Sequence, residues 1–267
     1  GVDGLDALQP GSERYGVLRS LLDQAPSHLL RGGASGTWHG DIDHLDRDGR
    51  ARVLRATLAV GHHAAMPTGG FIGLTAHDVT AARQHASALR HRATHDPLTG
   101  LANRRQVLAT LAHAISRQRG AEGRVAVIFV DVDRLKYVND ALGHQVGDRL
   151  LVSVSRRLLE TTRPQDHVAR IGGDEFLIVC SDIAEADDAL DLAERSRRAL
   201  TGRLRLRQLD LHFSVSIGVA ISDGAVDDAS ATTAASELVS RADTAMYHAK
   251  ATGRARSVLY TDEMHTA

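Results

Sequence analysis

The chain has 267 residues, 43% of them apolar, which exceeds the usual span of one domain and supplies enough apolar side chain for more than one core. A formal net charge of −1 gives no global basic field, which argues against a nucleic-acid partner, and no apolar run reaches the ~18 residues that a membrane span needs. Cys180 has no partner for an internal disulfide, which fits a reducing, cytoplasmic setting; no signal-peptide pattern opens the chain, although Gly1 is not an initiator methionine and a longer parent could be membrane-anchored.

Residues 13–31 read as a short helical stretch. Residues 36–45, 51–60 and 70–76 alternate as strands do, and Arg47-Asp48-Gly49 turns the first into the second, so a small antiparallel sheet is expected. Residues 36–42, that turn and residues 71–80 resemble the C-terminal half of a PAS sensory domain, while the N-terminal strands and helices of that fold have no counterpart here. A half-domain of roughly 70 residues would be marginal alone. Val79, Ala82, Ala86, Leu89 and Ala93 then recur at spacings of three and four. They read either as the seam of a short helix pair or as an amphipathic linker packing on its own chain.

Asp96-Pro97-Leu98-Thr99-Gly100-Leu101 breaks this helix, and another begins near Asn103 with Val107, Leu108, Leu111 and Ile115 on its apolar face. Beyond it the pattern alternates: strand 125–130, helix 144–162, hairpin 166–180, helix 185–200, strand 212–220, helix 233–251 and a last strand at 257–260. The expectation is an α/β sandwich, divided as residues 1–78, a helical linker at 79–95 and a domain at 96–267.

Strand 125–130 is apolar throughout, as a central strand is, and it ends in Asp131-Val132-Asp133, which puts carboxylates where open α/β sheets hold ligands. The hairpin carries Gly172-Gly173-Asp174-Glu175 at its tip. Two glycines there can take positive φ and bare the backbone, while the acid pair suits a divalent cation better than a phosphate. If the hairpin pairs beside that strand, Asp131, Asp174 and Glu175 converge on a metal site, with the Val132 carbonyl as a further ligand. Solvated turn acids are the plainer alternative. Asn139 and Asp148 could read the amide edge of guanine, whose N1 and N2 hydrogens a carboxylate accepts, although Asp148 could equally cap a helix. Only Lys136 and Lys250 are lysine among 32 basic residues, as if a compact ammonium were needed at two places. His62-His63 and the helix-spaced His91 and His95 lack the further ligands of a metal site.

Residues 96–104, 131–148, the run Arg170-Ile171-Gly172-Gly173-Asp174-Glu175-Phe176, then Ser216-Ile217-Gly218-Val219-Ala220, and finally Ala242-Asp243 through Lys250 to Gly253-Arg254, resemble the GGDEF family of diguanylate cyclases in order and spacing. The likeness covers residues 96–260 and implies a fold similar to the nucleotidyl cyclase and polymerase palm, with a central, mostly antiparallel sheet flanked by helices. It implies that Asp131, the Val132 carbonyl, Asp174 and Glu175 hold two Mg²⁺ or Mn²⁺ ions, and that Glu175 also assists deprotonation of the attacking hydroxyl. It makes Asn139 and Asp148 the guanine readers and Lys136, Lys250 and Arg254 the triphosphate contacts, so both lysines fall on phosphates.

A charge count agrees with the need for metal. Three carboxylates and a triphosphate bring about −7, two lysines and an arginine return about +3, and the remaining −4 or so equals two divalent cations. The family joins two GTP into cyclic di-GMP, which requires a homodimer, since one domain presents one nucleotide. Arg163-Pro164-Gln165-Asp166 resembles its inhibitory product site, with Arg163 and Asp166 holding cyclic di-GMP. Leu135 stands where the family usually has Phe, and Ala255 where it has Asn. A non-catalytic receptor for GTP or cyclic di-GMP is the alternative, but the retained acids favour the enzyme; a mixed GMP-AMP cyclase is disfavoured by Asp148.

Overall fold

The computed structural model describes Val17, Ser20 and residues 36–46, 48–62, 70–118, 123–206, 209–224 and 226–265. The helix expected at 13–31 therefore lies outside the described residues, apart from Val17 and Ser20, both helical. By internal contact the chain forms two units, Gly1–Arg90 and His91–Ala267. Their boundary falls inside a helix rather than at residue 78 or 95.

In the first unit, strands β1 (Gly36–Leu45), β2 (Ala51–His62) and β3 (Gly70–Asp78) form an antiparallel sheet in that order, as the alternation predicts. The turn between β1 and β2 is fixed by the Asp46 carboxylate, which accepts from the amides of Asp48 at 3.0 Å and Arg50 at 2.9 Å. Among the described residues, one face is packed, on Ile42, Leu54, Ala56 and Leu58. Helix α1 (Thr80–Thr94) follows, its start held by the Asp78 carboxylate on the Thr80 amide and by the Thr80 hydroxyl on the Val53 amide, both at 2.8 Å. It buries no residue, and Leu89 is 65% exposed. Among the described residues nothing buries the heptad-spaced positions of this helix.

In the second unit a five-stranded sheet runs in the order β10-β9-β4-β6-β5. Its strands are β4 (Arg124–Val132), β5 (His167–Gly172), β6 (Glu175–Ile183), β9 (Val215–Ile221) and β10 (Ser257–Leu259), all antiparallel to their neighbours except β10 beside β9. Helices α2 (Arg104–Ser116) and α6 (Asp228–Ala251) cover one face, with Val107, Leu111, Leu238 and Met246 on Val127, Phe129 and Leu177. Helices α3 (Leu135–Leu142), α4 (His144–Thr161) and α5 (Ala186–Leu200) cover the other, with Leu150, Leu158 and Leu192 on Ile128, Val130 and Ile178. Strand β4 is buried on both sides, which is why its sequence is apolar without alternation. Each such buried aliphatic side chain contributes about 1.5–3 kcal/mol.

Three elements differ from expectation. The strand anticipated at 212–220 is interrupted at Ser214. Its first part belongs to a separate hairpin of β7 (Gly202–Leu206) and β8 (Leu209–Phe213), and the chain changes sheets where the Ser214 carbonyl accepts the Asp133 amide at 3.0 Å. Helix α3 has no forecast. Helix α6 begins at Asp228 rather than 233, because Asp227 caps it by accepting the Ser230 amide at 2.8 Å. Gly218 explains the bare position in Ser-Ile-Gly-Val-Ala: a Cβ there would lie 2.0 Å from the Ala242 carbonyl oxygen, so only glycine lets α6 seat on β9. No described helix is long and apolar enough to cross a membrane.

Candidate active site

The hairpin does pair beside β4, and Asp131 lies directly opposite Glu175, with the Val132 amide donating to the Asp174 carbonyl at 3.1 Å. Asp131 and Glu175 therefore share the face of the sheet that looks toward α6. Asp131 is 3% exposed, and its carboxylate is 2.6 Å from the Lys250 ammonium on the last turn of α6. Burial pushes its pKa up to about 6, helped by the negative charges of Asp174 and Asp133 and opposed by the Lys250 bond. Glu175 is half-buried, and burial together with Asp243 and Asp174 raises its pKa against Lys250 and Arg104. It borders a pocket of about 260 Å³ between α2, the hairpin and α6.

Asp133 takes a different part. It is 6% exposed, accepts the hydroxyls of Ser214 at 2.6 Å and Ser216 at 2.8 Å, and stands 3.9 Å from the Arg254 Nε. It ties the end of β4 to β9 and to the loop after α6. Sequence reasoning gave it no separate role; Ser214-Val215-Ser216, two hydroxyls on one side of a strand, was the signal available.

At the hairpin tip only Gly173 takes positive φ, +43°, so one glycine and not both makes the turn. Arg170 spans it. Its Nε and one terminal nitrogen donate to the Gly173 carbonyl at 3.1 and 2.8 Å, and the other terminal nitrogen donates to both oxygens of Asp96 at 3.1 and 3.2 Å. Asp96 also accepts the Thr99 amide and hydroxyl at 2.9 and 2.7 Å. Burial would raise the Asp96 pKa, but the Thr99 and Arg170 bonds outweigh it and leave it lowered. The turn that ends the linker is thereby fastened to the acid-bearing tip, a contact that sequence reasoning missed.

On the helices that cover the other face of the sheet, Lys136 is exposed on the first turn of α3. Asn139 lies one turn later with its Oδ1 buried and without a hydrogen-bond partner. That oxygen rests on Gly147, where a Cβ would be 1.9 Å away. Asp148 is exposed in the second turn of α4 and caps nothing, since the helix starts at His144 after Gly143 at φ +85°. Arg254 has φ +62° in the loop after α6, and Ala255 beside it φ +50°. The Arg197 guanidinium on the Ala255 carbonyl at 3.1 Å braces this loop, and Glu194 holds Arg197 at 2.6 and 2.8 Å.

Among the described residues no three His, Cys, Asp or Glu side chains are gathered as a metal cage. The anticipated three-carboxylate site is thus not gathered among these residues, and Asp131 is paired with Lys250. The donor set is nonetheless that of a hard divalent cation, with carboxylate oxygens, a backbone carbonyl, and neighbouring negative charges that add to burial in raising Asp131 and Glu175. Mg²⁺ or Mn²⁺ completed by phosphate oxygens fits these residues. Arg163 and Asp166 sit in one tight turn before β5, where the Asp166 carboxylate accepts the Arg163 amide at 2.8 Å. His91 and His95 stack at 4.1 Å, and His63 lies outside the described residues.

A sheet flanked by helices on both faces, with acids at one edge and basic groups beside them, defines an α+β domain. Residues 93–256 match the family described as diguanylate cyclase, GGDEF domain, and the chain belongs to the GGDEF family. The bifunctional diguanylate cyclase/cyclic di-GMP phosphodiesterase MucR of Pseudomonas aeruginosa is 40% identical over 162 residues, 61% of this chain and 23% of that protein. The solved GGDEF domain of TpbB from the same species is 34% identical with a TM-score of 0.56, covering 64% of this chain and 97% of that one. The coiled coil and GGDEF domain of DgcB from Caulobacter crescentus, solved with c-di-GMP, is 28% identical with a TM-score of 0.59, covering 68% and 93%. The chain spans between 22% and 38% of the length of the first curated relatives it matches. The match begins at residue 93, past β1–β3, so the PAS likeness of that sheet rests on its sequence pattern alone.

Proposed function

We propose that this chain is an active diguanylate cyclase, condensing two GTP into cyclic di-GMP with release of two pyrophosphates. The observation that supports it most is the Asp131–Lys250 pair directly opposite Glu175: a buried acid, its paired ammonium and a second acid on one edge. In this reading Asp148 accepts the N1 and N2 hydrogens of guanine, and the unpartnered Oδ1 of Asn139 gains its donor. Lys136, Lys250 and Arg254 take the triphosphate, Lys250 leaving Asp131 to do so. Two Mg²⁺ or Mn²⁺ ions held by Asp131, the Val132 carbonyl, Asp174 and Glu175 would supply charge neutralisation and polarise the α-phosphate. Glu175 accepts the proton of a 3′-hydroxyl whose oxygen bonds to the α-phosphorus of a GTP held by a facing copy of the chain. The α–β phosphoanhydride breaks and pyrophosphate departs. The same step in the other direction closes the ring, so a homodimer is required.

The open seam of α1, from Val79 to Ala93, would pair the copies, and the PAS-like β1–β3 unit would regulate that pairing. Arg163 and Asp166 would hold cyclic di-GMP as an inhibitor, and Arg163→Ala should raise the product concentration needed to inhibit; an unchanged value rejects that site. The deciding experiment is incubation with GTP and Mg²⁺ over a range of protein concentrations, with the nucleotide product identified. Cyclic di-GMP formed with a rate per chain that rises with concentration is the expected result. Nucleotide binding with no product at any concentration would replace the enzyme by a receptor.

A further inference from the structure

The loop that follows α6 does not hold its shape by its own residues. Arg254 and Ala255 both take left-handed backbone, at φ +62° and +50°, a conformation in which a Cβ crowds the following carbonyl oxygen. Neither is glycine, so the turn needs support from outside. Ala255 receives it on both sides, from side chains of opposite charge. Its amide donates to the Asp133 carboxylate at 3.4 Å, and its carbonyl accepts the Arg197 guanidinium at 3.1 Å.

Both supports are themselves fixed. The two oxygens of Asp133 accept the hydroxyls of Ser214 and Ser216 at 2.6 and 2.8 Å. Arg197 stands on α5, where the Glu194 carboxylate accepts two of its nitrogens at 2.8 and 2.6 Å and leaves the third for Ala255. Glu194 also accepts the hydroxyl of Ser257, the first residue of β10, at 3.3 Å. On either side of Ala255 the backbone is pinned as well. The Arg254 amide donates to the Ala249 carbonyl on α6, and the Arg256 carbonyl accepts the Ile217 amide on β9, both at 2.9 Å. The Arg254 side chain is by contrast 48% exposed.

We propose that Asp133 and Arg197 are positioning residues for Arg254: by holding Ala255 from its two sides they fix the left-handed turn that presents the Arg254 guanidinium to the phosphates of the nucleotide. The proposal rests on the cyclase reading, in which Arg254 takes the triphosphate, and adds two residues that touch no ligand. The need is particular to this chain because position 255 is alanine. Asparagine, usual there in the family, tolerates left-handed backbone; alanine resists it, so the conformation has to come from its neighbours. A guanidinium whose backbone is set beforehand loses less freedom when it binds phosphate, which strengthens binding without a new contact.

The test measures binding of a non-hydrolysable GTP analogue by calorimetry to the full wild-type chain, Arg197→Ala, Arg254→Ala and the double variant. Arg197→Ala should weaken the analogue about fivefold or more, the worth of one hydrogen bond to a charged group or a little less. In the Arg254→Ala background the same change should cost less than about twofold, because the group it positions is gone. Adding Ala255→Asn to Arg197→Ala should restore part of the lost affinity. Alanine is a strong helix former at a position on α5, and Glu194→Gln, which keeps Arg197 but weakens its hold, should shift affinity in the same direction if Arg197→Ala folds poorly. Unchanged affinity in both Arg197→Ala and Glu194→Gln overturns the proposal. An equal loss with and without Arg254 also overturns it, since that marks a merely structural role. A wild type that does not bind the analogue overturns the functional reading instead.

Discussion

Around the hairpin the polar groups are tied down before any ligand arrives: Asp133 by two serine hydroxyls, and Arg170 by Asp96 and the Gly173 carbonyl. On the α3–α4 side Lys136 and Asp148 stand exposed, and Asn139 keeps a buried oxygen with no partner. On the proposed cyclase reading, the difference follows from what each wall would do. Groups that meet charge developing in a reaction act best when they need not reorganise, so their scaffold is fixed in advance. A group that only selects a base can be left incomplete, because the correct base completes it and a wrong one leaves it unsatisfied.

Substitutions can break or sharpen this contrast. Glu175→Ala removes a pre-set acid and should lower cyclic di-GMP formation by at least ~10²–10³-fold; a rate near that of the wild type would disprove its place in the reaction. Gly147→Ala acts on the unfinished wall. The new methyl claims the space of the Asn139 oxygen, so binding of a GTP analogue, followed by calorimetry, should weaken about five- to tenfold while the fold holds. Equal affinity would show that Asn139 does not read the base.

Acid should loosen the phosphate end of the tied wall next. Glu194 is lowered from 4.5 to about 2, first by the Arg197 bond, and through Arg197 it braces the loop that carries Arg254. A carboxylate whose folded pKa is depressed stabilises the fold above its unfolded value and loses that contribution as pH falls toward the folded one. Thermal stability should therefore drop between pH 4.5 and about 2 more steeply in the wild type than in Glu194→Gln; parallel curves would contradict the linkage. The smallest effect belongs to Ala255→Asn. Ala255 sits at φ +50°, a conformation that asparagine tolerates and alanine resists, so the substitution should stabilise by roughly 0.5–1 kcal/mol in thermal unfolding. No gain would mean that the surrounding loop absorbs the strain.

The tied and open walls were not equally legible. Strand β4 announced itself because burial on both faces leaves an unbroken apolar run, and the hairpin because two apolar runs flank a glycine pair. Helix α3 was missed because its eight residues make barely two turns and Tyr137, Val138 and Asn139 are weak helix formers. The β7–β8 hairpin was missed because five-residue strands give too short an alternation to separate from the strand that follows. Contacts such as Arg170 with Asp96, 74 residues apart, or Asn139 with Gly147 are set by tertiary packing, which periodicity does not encode. The helical register of α1 could be read, but a seam's partner is not written in the seam.

The Arg170 clamp has one more consequence. Every bond it makes closes between Asp96 and Gly173, within the unit that begins at His91. The geometry of the acid-bearing tip is therefore self-contained, indifferent to whatever chain is spliced upstream. A domain that carries its own entrance fastening sets the shape of this tip from its own residues.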